Sequence, residues 1–414
     1  MRRVAITGLG VVSPVGTGSP GFFKSLLSAC SGIRLVEMAF PTGSESVLAG
    51  AIDFDADLHF SRARLLTMDR VSQLALVAGR EAMAQAGLND AASWPASLAS
   101  ERFGVSMGTA SGGSGSTDLA YTALLEQKVA RLRPMTVVLA MSNAIAAHAA
   151  MEFSLKGPSS TISNACASSA NAIGEAFRQI RHGYADAMLA GGAEAMLNRG
   201  TIKAWQAMQT MAKPHTDGAE TSCRPFSADR SGLVLAEGAA MLVLEEWEGA
   251  QARGANILAE IVGYASTSDA HHLTQPEPRG QARAMKLALA DAGLDASAIG
   301  YLNAHGTGTE VGDVVETSAI KLAFGAAAAH LPVSSSKGVL GHTMGAAGAM
   351  EFIASVMALR AGQLPPTAFL EHPDTRCDLD YIPLAARDCP GLAVVMSNSF
   401  AFGGSNAVLI ARAA

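Results

Sequence analysis

The sequence predicts an α/β fold assembled from two similar halves that meet at a shared site. Three observations predict it. Apolar strand-like runs alternate with helix-period segments, the pattern of βαβ units and parallel sheets. A set of elements recurs in the same order about half a chain later. One cysteine and two glycine-flanked histidines fall on opposite sides of that repeat.

The first element is a buried strand. Residues 1–8 begin with two arginines and an apolar run, but Gly8, Gly10 and Pro14 interrupt it too early for a secretory leader. Residues 68–88 then form an amphipathic helix closed by Gly87-Leu88. Residues 281–294 form its echo, closed by Gly293-Leu294. After each comes an apolar strand running into a Gly/Thr/Ser turn, at 103–109 and 301–307. The strand at 159–163 leads to Cys166 and a helix marked by Ala170, Ile173, Phe177 and Ile180, with His182-Gly183 as its stop. Its echo is 333–337, followed by Gly341-His342 opening a helix over 343–360. Gly345 and Gly348 lie in that helix. Glycine there costs about 1 kcal/mol against alanine, so close packing against another element is expected. The halves divide as 1–255, carrying the cysteine, and 256–414, carrying both histidines. The polar, turn-rich stretch 213–229 is expected to be a loop flanking the site.

Composition bounds the function. Of 414 residues, 49% are hydrophobic and 16% charged, so much of the chain must be buried. A net charge of −6 argues against nucleic acid as the main ligand. Five widely spaced cysteines without a CxxC pair suggest neither a disulfide framework nor structural zinc, and point to a reducing, cytoplasmic compartment. No apolar run is long enough to span a bilayer.

Cys166 stands in Ser163-Asn164-Ala165-Cys166-Ala167-Ser168-Ser169. A helix start is electropositive and favours thiolate, the nucleophilic form. A lone cysteine is usually a small buried hydrophobe. Here it is joined by His305, in Asn303-Ala304-His305-Gly306-Thr307-Gly308-Thr309, and by His342, in Lys337-Gly338-Val339-Leu340-Gly341-His342. One cysteine with two histidines is a recurrent layout for carbon–carbon bond formation on thioesters. The adjacent pair His271-His272 is not read as a metal site, since neighbouring side chains rarely converge and no third ligand is near.

These segments, with Ala190-Gly191-Gly192-Ala193-Glu194, Arg224-Pro225-Phe226-Ser227, Gly312-Asp313 and Ser397-Asn398-Ser399-Phe400-Ala401-Phe402-Gly403-Gly404-Ser405-Asn406, make the chain resemble the elongating, Cys-His-His type of β-ketoacyl-[acyl-carrier-protein] synthase over essentially its full length. The resemblance implies a thiolase-like five-layered αβαβα sandwich and decarboxylative condensation of an acyl group with malonyl-[acyl-carrier-protein], an acyltransferase activity. It implies Cys166 as nucleophile, His305 and His342 as hydrogen-bond donors to the malonyl thioester, and the backbone N–H groups of Cys166 and Phe402 as an oxyanion hole. It also implies a buried Lys337–Glu316 ion pair, a structural Asp313, and Thr307 and Thr309 binding a phosphopantetheine arm. Phe402 would gate the acyl pocket beside Phe400, with Ala401 standing where glycine is usual. Residues 266–279 resemble a second loop near the entrance. Ser111 would lie along the acyl channel and leave room for a long or rigid chain. Arg62, Arg64, Arg70, Lys128, Arg131 and Arg133 would form a basic rim for the carrier protein. No cofactor is implied beyond the carrier's own phosphopantetheine. The resemblance also implies a homodimer, or a heterodimer with a related chain-length partner.

Three rivals differ at particular residues. A degradative thiolase carries a second cysteine near its C-terminus, where this chain reads Ser397 to Phe402. An initiating synthase has asparagine where His342 stands. A non-catalytic chain-length partner lacks the nucleophile that Cys166 supplies, although the chain could be the active member of such a pair.

Overall fold

A computed structural model describes residues 1–95 and 98–414. Val4–Ser13 is buried along its whole length and lies at the middle of one large sheet. The order across the sheet is Val333–Ser334, Tyr301–Asn303, Val394–Ala401, Ser405–Arg412, Ala259–Ser268, Val4–Ser13, Gly238–Glu246, Ala187–Glu194, Phe103–Gly108 and Ser159–Ile162. Read outward from the middle, each half repeats one pattern: two antiparallel pairings, then two parallel ones. Phe103–Gly108 and Tyr301–Asn303 therefore occupy equivalent places, as do Ser159–Ile162 and Val333–Ser334, in line with the repeat in the sequence. Val4, Ala5 and Ile6 pair with Ile261, Glu260 and Ala259, so the two half-sheets are continuous.

Helices make three layers around the half-sheets. Ser168–Arg181 and Ala347–Ala361 lie between them, and Ile173, Phe177, Phe352 and Ile353 share a core with Val4, Leu242 and Leu409. Arg70–Gln85 and Ala144–Phe153 cover the outer face of the first half, where Leu74 and Phe153 join Val105, Leu189 and Met241. Pro278–Ala292 and Glu310–Phe324 cover the second, where Met285 and Ile320 join Leu302, Met396 and Ile410. This is the five-layered αβαβα sandwich.

Local chemistry sets the element ends. The Asp69 carboxylate caps its helix by accepting the Val71 N–H at 3.0 Å. The helix expected over 343–360 begins later, at Ala347, because 344–346 form a tighter turn with Met344 at φ 45°. Its glycines sit where no side chain fits. A Cβ on Gly345 would meet Ala110 N at 2.3 Å and Glu194 Oε2 at 2.6 Å; one on Gly348 would meet the Ala170 Cβ and Ser399 Oγ, both at 2.7 Å. Contrary to the expectation that no run is long enough, Met344–Ala361 has, among the described residues, the length and apolar composition to cross a membrane, but it is mostly buried in the middle layer.

Candidate active site

Cys166 lies in a 3-10 turn, Ala165–Ala167, directly ahead of the helix Ser168–Arg181. The strand Ser159–Ile162 delivers it there. Ala165 takes φ 46°, a left-handed conformation that a non-glycine residue adopts at some strain. Ser168 holds the turn: its Oγ accepts the Asn164 N–H at 2.9 Å and donates to Ala165 O at 2.6 Å. His305 follows the strand Tyr301–Asn303, and His342 follows the short helix Lys337–Leu340. The Cys166 sulfur and a ring nitrogen from each histidine lie within 4.8 Å of one another. A cavity of about 390 Å³ opens over them, bounded also by Phe400, Phe402 and Trp205.

Burial controls the protonation states. It pushes the Cys166 thiol up to about 12, against the Lys337 charge and the Phe402 backbone N–H, which both pull it down. Desolvation thus works against the thiolate expected at a helix start. Burial, then the Lys337 ammonium, then His342 hold His305 well below its ordinary value. Burial and Lys337 do the same to His342. Both rings are neutral, and their contacts choose the tautomer. His342 Nδ1 accepts the Met344 N–H at 3.2 Å, which leaves the proton on Nε2. That Nε2 is buried and has no partner among the described residues. His305 Nδ1 faces the Lys337 ammonium at 3.4 Å, which likewise places its proton on Nε2. The rings meet edge to face, centroids 5.2 Å apart.

The ion pair expected between Lys337 and Glu316 is not formed. Lys337 Nζ pairs with Glu351 and donates to His305 O at 2.6 Å. Glu316 instead accepts the His305 N–H at 2.9 Å, the Gly306 N–H at 2.7 Å and Asn398 Nδ2 at 3.2 Å. It positions the histidine by its backbone, while the lysine neutralises a different acid. Burial raises Glu316, and raises Glu351 to about 7. Glu351 had a signal in the sequence: it is the one acid in the apolar run Ala346 to Leu359.

Other residues fall as follows. Asp313 is structural: it accepts N–H groups of Thr307, Gly308 and Phe226. Thr307 and Thr309 share a hydroxyl–hydroxyl bond of 2.8 Å on the cavity wall. The stretch 213–229 does not line the cavity; only its neighbours Gln209, Thr210 and Ser231 to Leu233 do. It braces the turn after His305 from behind, through Phe226 and Asp313. Residues 269 and 272–276 line the mouth, and His272 Nδ1 is occupied by the Thr274 and Gln275 N–H groups. Ser111 is not on the cavity wall. Its N–H goes to Glu194, a buried carboxylate, raised to about 7 by burial, that also accepts from Ala110 and Gly345. Arg64 pairs with Glu152 at 2.6 Å and Arg70 with Glu237 at 2.7 Å. Arg62, Lys128, Arg131 and Arg133 are exposed, without ion pairs among the described residues. Trp205, stacked on Phe402 with centroids 5.8 Å apart, went unnoticed in the sequence, where nothing marks it.

A five-layered sandwich with a cysteine and two neutral histidines converging from its two halves defines a thioester-condensing class of enzyme. The chain belongs to the β-ketoacyl synthase family: the family's N-terminal domain model matches residues 1–250 and its C-terminal domain model residues 258–371. It is 40% identical over 414 residues to 3-oxoacyl-[acyl-carrier-protein] synthase 2 of Staphylococcus aureus (strain N315), covering 99% of this chain and 98% of the relative. It is 44% identical over 410 residues to nodulation protein E of Rhizobium meliloti (strain 1021), with the same coverage. Among solved structures it resembles a type II polyketide-synthase acyl-carrier protein in complex with its ketosynthase bound to the hexaketide (TM-score 0.90, 31% identity, all of both chains). It also resembles the ishigamide ketosynthase/chain length factor (TM-score 0.90, 33% identity, 100% of this chain and 99% of that one).

Proposed function

We propose that the protein elongates acyl chains by decarboxylative condensation with malonyl-[acyl-carrier-protein], as an acyltransferase of the 3-oxoacyl-[acyl-carrier-protein] synthase type acting in the cytoplasm. The observation that carries this reading is the pair of neutral imidazoles beside the Cys166 sulfur, with His342 Nε2 unpartnered among the described residues. In the first half-reaction the Cys166 sulfur bonds to the acyl carbonyl carbon and the carrier's thiolate leaves, taking up the proton that Cys166 gives up. In the second, the malonyl C–CO2 bond breaks and its electron pair forms an enolate. The enolate oxygen is held by Nε2–H of His305 and His342. The enolate carbon attacks the Cys166 thioester, and the oxyanion is held by the N–H groups of Phe402 and Cys166. Collapse expels the cysteine sulfur, which takes up a proton from water, so that the second half-reaction consumes one proton. No bound cofactor is required; Thr307 and Thr309 would bind the phosphopantetheine amides.

The carrier protein would dock on the exposed cations Arg62, Lys128, Arg131 and Arg133. The edge strand Ser159–Ile162 and the exposed Leu119, Leu125, Val137 and Met151 form the face for a second copy or a related chain-length partner. Intact-mass spectrometry after incubation with acyl-carrier proteins tests the reading. The wild type should gain one acyl mass and Cys166→Ala none; acylation of the variant would overturn the assignment.

A further inference from the structure

Phe402 and Trp205 face each other above the nucleophile. Phe402 stands at a glycine turn held by the Gly403 N–H to Leu273 O at 2.7 Å and the Asp269 N–H to Gly404 O at 2.8 Å. Trp205 stands on a helix, Arg199–Ala207, tied by several side chains. Asn198 caps that helix by accepting the Thr201 N–H at 3.0 Å. Arg199 ties it to Asp118 and Glu126 at 3.5 and 3.3 Å, and Lys203 ties it to Glu45 at 2.5 Å. Phe402 is 36% exposed and precedes Gly403 and Gly404, both left-handed at φ 83° and 73°. A Cβ on Gly403 would meet nothing within 4 Å, so this side of the turn has open space to move into. The two rings stack at 5.8 Å and 18°, and both bound the cavity. Trp205 also packs against an apolar cluster that contains Cys166, Met38, Met196, Met211 and Leu233.

We infer that Trp205 is a specificity-determining positioning residue for acylation of Cys166, resting on the condensing reading above. Its indole is the fixed platform that holds the Phe402 ring beside the sulfur. A short acyl group reaches Cys166 with the stack intact. A long one must part the rings to enter the apolar cluster, so the stack sets the relative rates of long and short substrates.

The test is single-turnover acylation followed by intact mass, with acetyl- and dodecanoyl-carrier protein, in the wild type, Trp205→Ala and Trp205→Phe. Trp205→Ala should raise the dodecanoyl-to-acetyl rate ratio about 2- to 10-fold, the range expected for one lost aromatic pair. Trp205→Phe, which keeps a ring, should return the ratio toward wild type. Acetyl loading in each variant reports that the site is folded. Dodecanoylation of the wild type should also change tryptophan emission, and Trp205→Phe should lose that change. An unchanged ratio in Trp205→Ala, an equal rise in both variants, or an emission change that persists in Trp205→Phe would overturn the inference. If the wild type takes up neither acyl group, the condensing reading itself falls, and this one with it.

Discussion

Glu351→Gln should cost more stability than any surface change, because it strands a charge. Lys337 and Glu351 are almost fully buried, and Glu351 is the lysine's one carboxylate partner among the described residues. Removing one member of a buried pair costs about 3–5 kcal/mol, since the other charge stays desolvated and uncompensated. With an unfolding entropy of about 2.1 cal/mol/K per residue, a chain of this length melts about 1 °C lower per kcal/mol. Scanning calorimetry should therefore show Glu351→Gln melting about 3–6 °C below wild type. The double variant Lys337→Met/Glu351→Met removes both charges and fills the space with apolar side chains, so it should regain most of that loss. It should still be altered in function. The Lys337 charge helps hold His305 and His342 below their ordinary range, and without it both should titrate at higher pH. The acid limb of malonyl decarboxylation should then move to higher pH in the double variant. The reasoning is refuted if Glu351→Gln melts with wild type, or if the double variant is as unstable as the single.

Substituting His305 or His342 by alanine should slow malonyl decarboxylation by on the order of 10²-fold, as for loss of one oxyanion donor; unchanged release of labelled CO2 in both would refute their role. Both histidines bind protons less readily folded than unfolded. Their contribution to stability is full above the unfolded pKa near 6.5 and is lost as pH falls below it, by about 1.4 kcal/mol per pH unit for each ring. Melting temperatures between pH 7 and 5.5 should fall, and less steeply in His305→Gln. Charge reversal at Arg62, Lys128, Arg131 and Arg133 together should raise KM for carrier-borne substrate and leave KM for a pantetheine thioester near wild type; equal effects on both would exclude docking there. Gly345→Ala should destabilise by about 1–3 kcal/mol in urea titrations, against the usual gain from such a change, because the new methyl would displace Glu194 and the Ala110 backbone.

The fold was legible because its signals are local and repeated. Gly87 and Gly293 end equivalent helices at φ 71° and 65°, a conformation glycine adopts without strain, and each announces the strand that follows. Cys166, His305 and His342 were legible as chemistry because each stands at a small-residue junction. What the sequence hides is pairing across the middle layer. Glu316 lies 11 residues beyond His305 and does support it, but through the His305 and Gly306 N–H groups. The lysine's true partner comes from the first turns of the next helix, and only the packing of Ala347–Ala361 against both half-sheets brings Glu351 to Lys337. Trp205 was hidden for a similar reason. Its meaning depends on Phe402, almost 200 positions away and in the other half.

Burial works against the thiolate expectation, and the reason bears on mechanism. A dipole argument counts the field at the helix start but omits the water that burial removes. Cys166 is enclosed by Met196, Met344 and Leu233, and an ion there loses its hydration. The same desolvation keeps His305 and His342 neutral and therefore able to donate from Nε2. One physical cause thus acts on all three groups, and it favours their uncharged forms. Such a site does not store a reactive anion that water or a stray electrophile could consume. Its donors are oriented in advance toward charge that appears only as the thioester reacts, which is where fixed dipoles in a dry cavity stabilise most. Sulfur deprotonation then has to accompany arrival of the acyl thioester, when the departing carrier thiolate supplies a place for the proton.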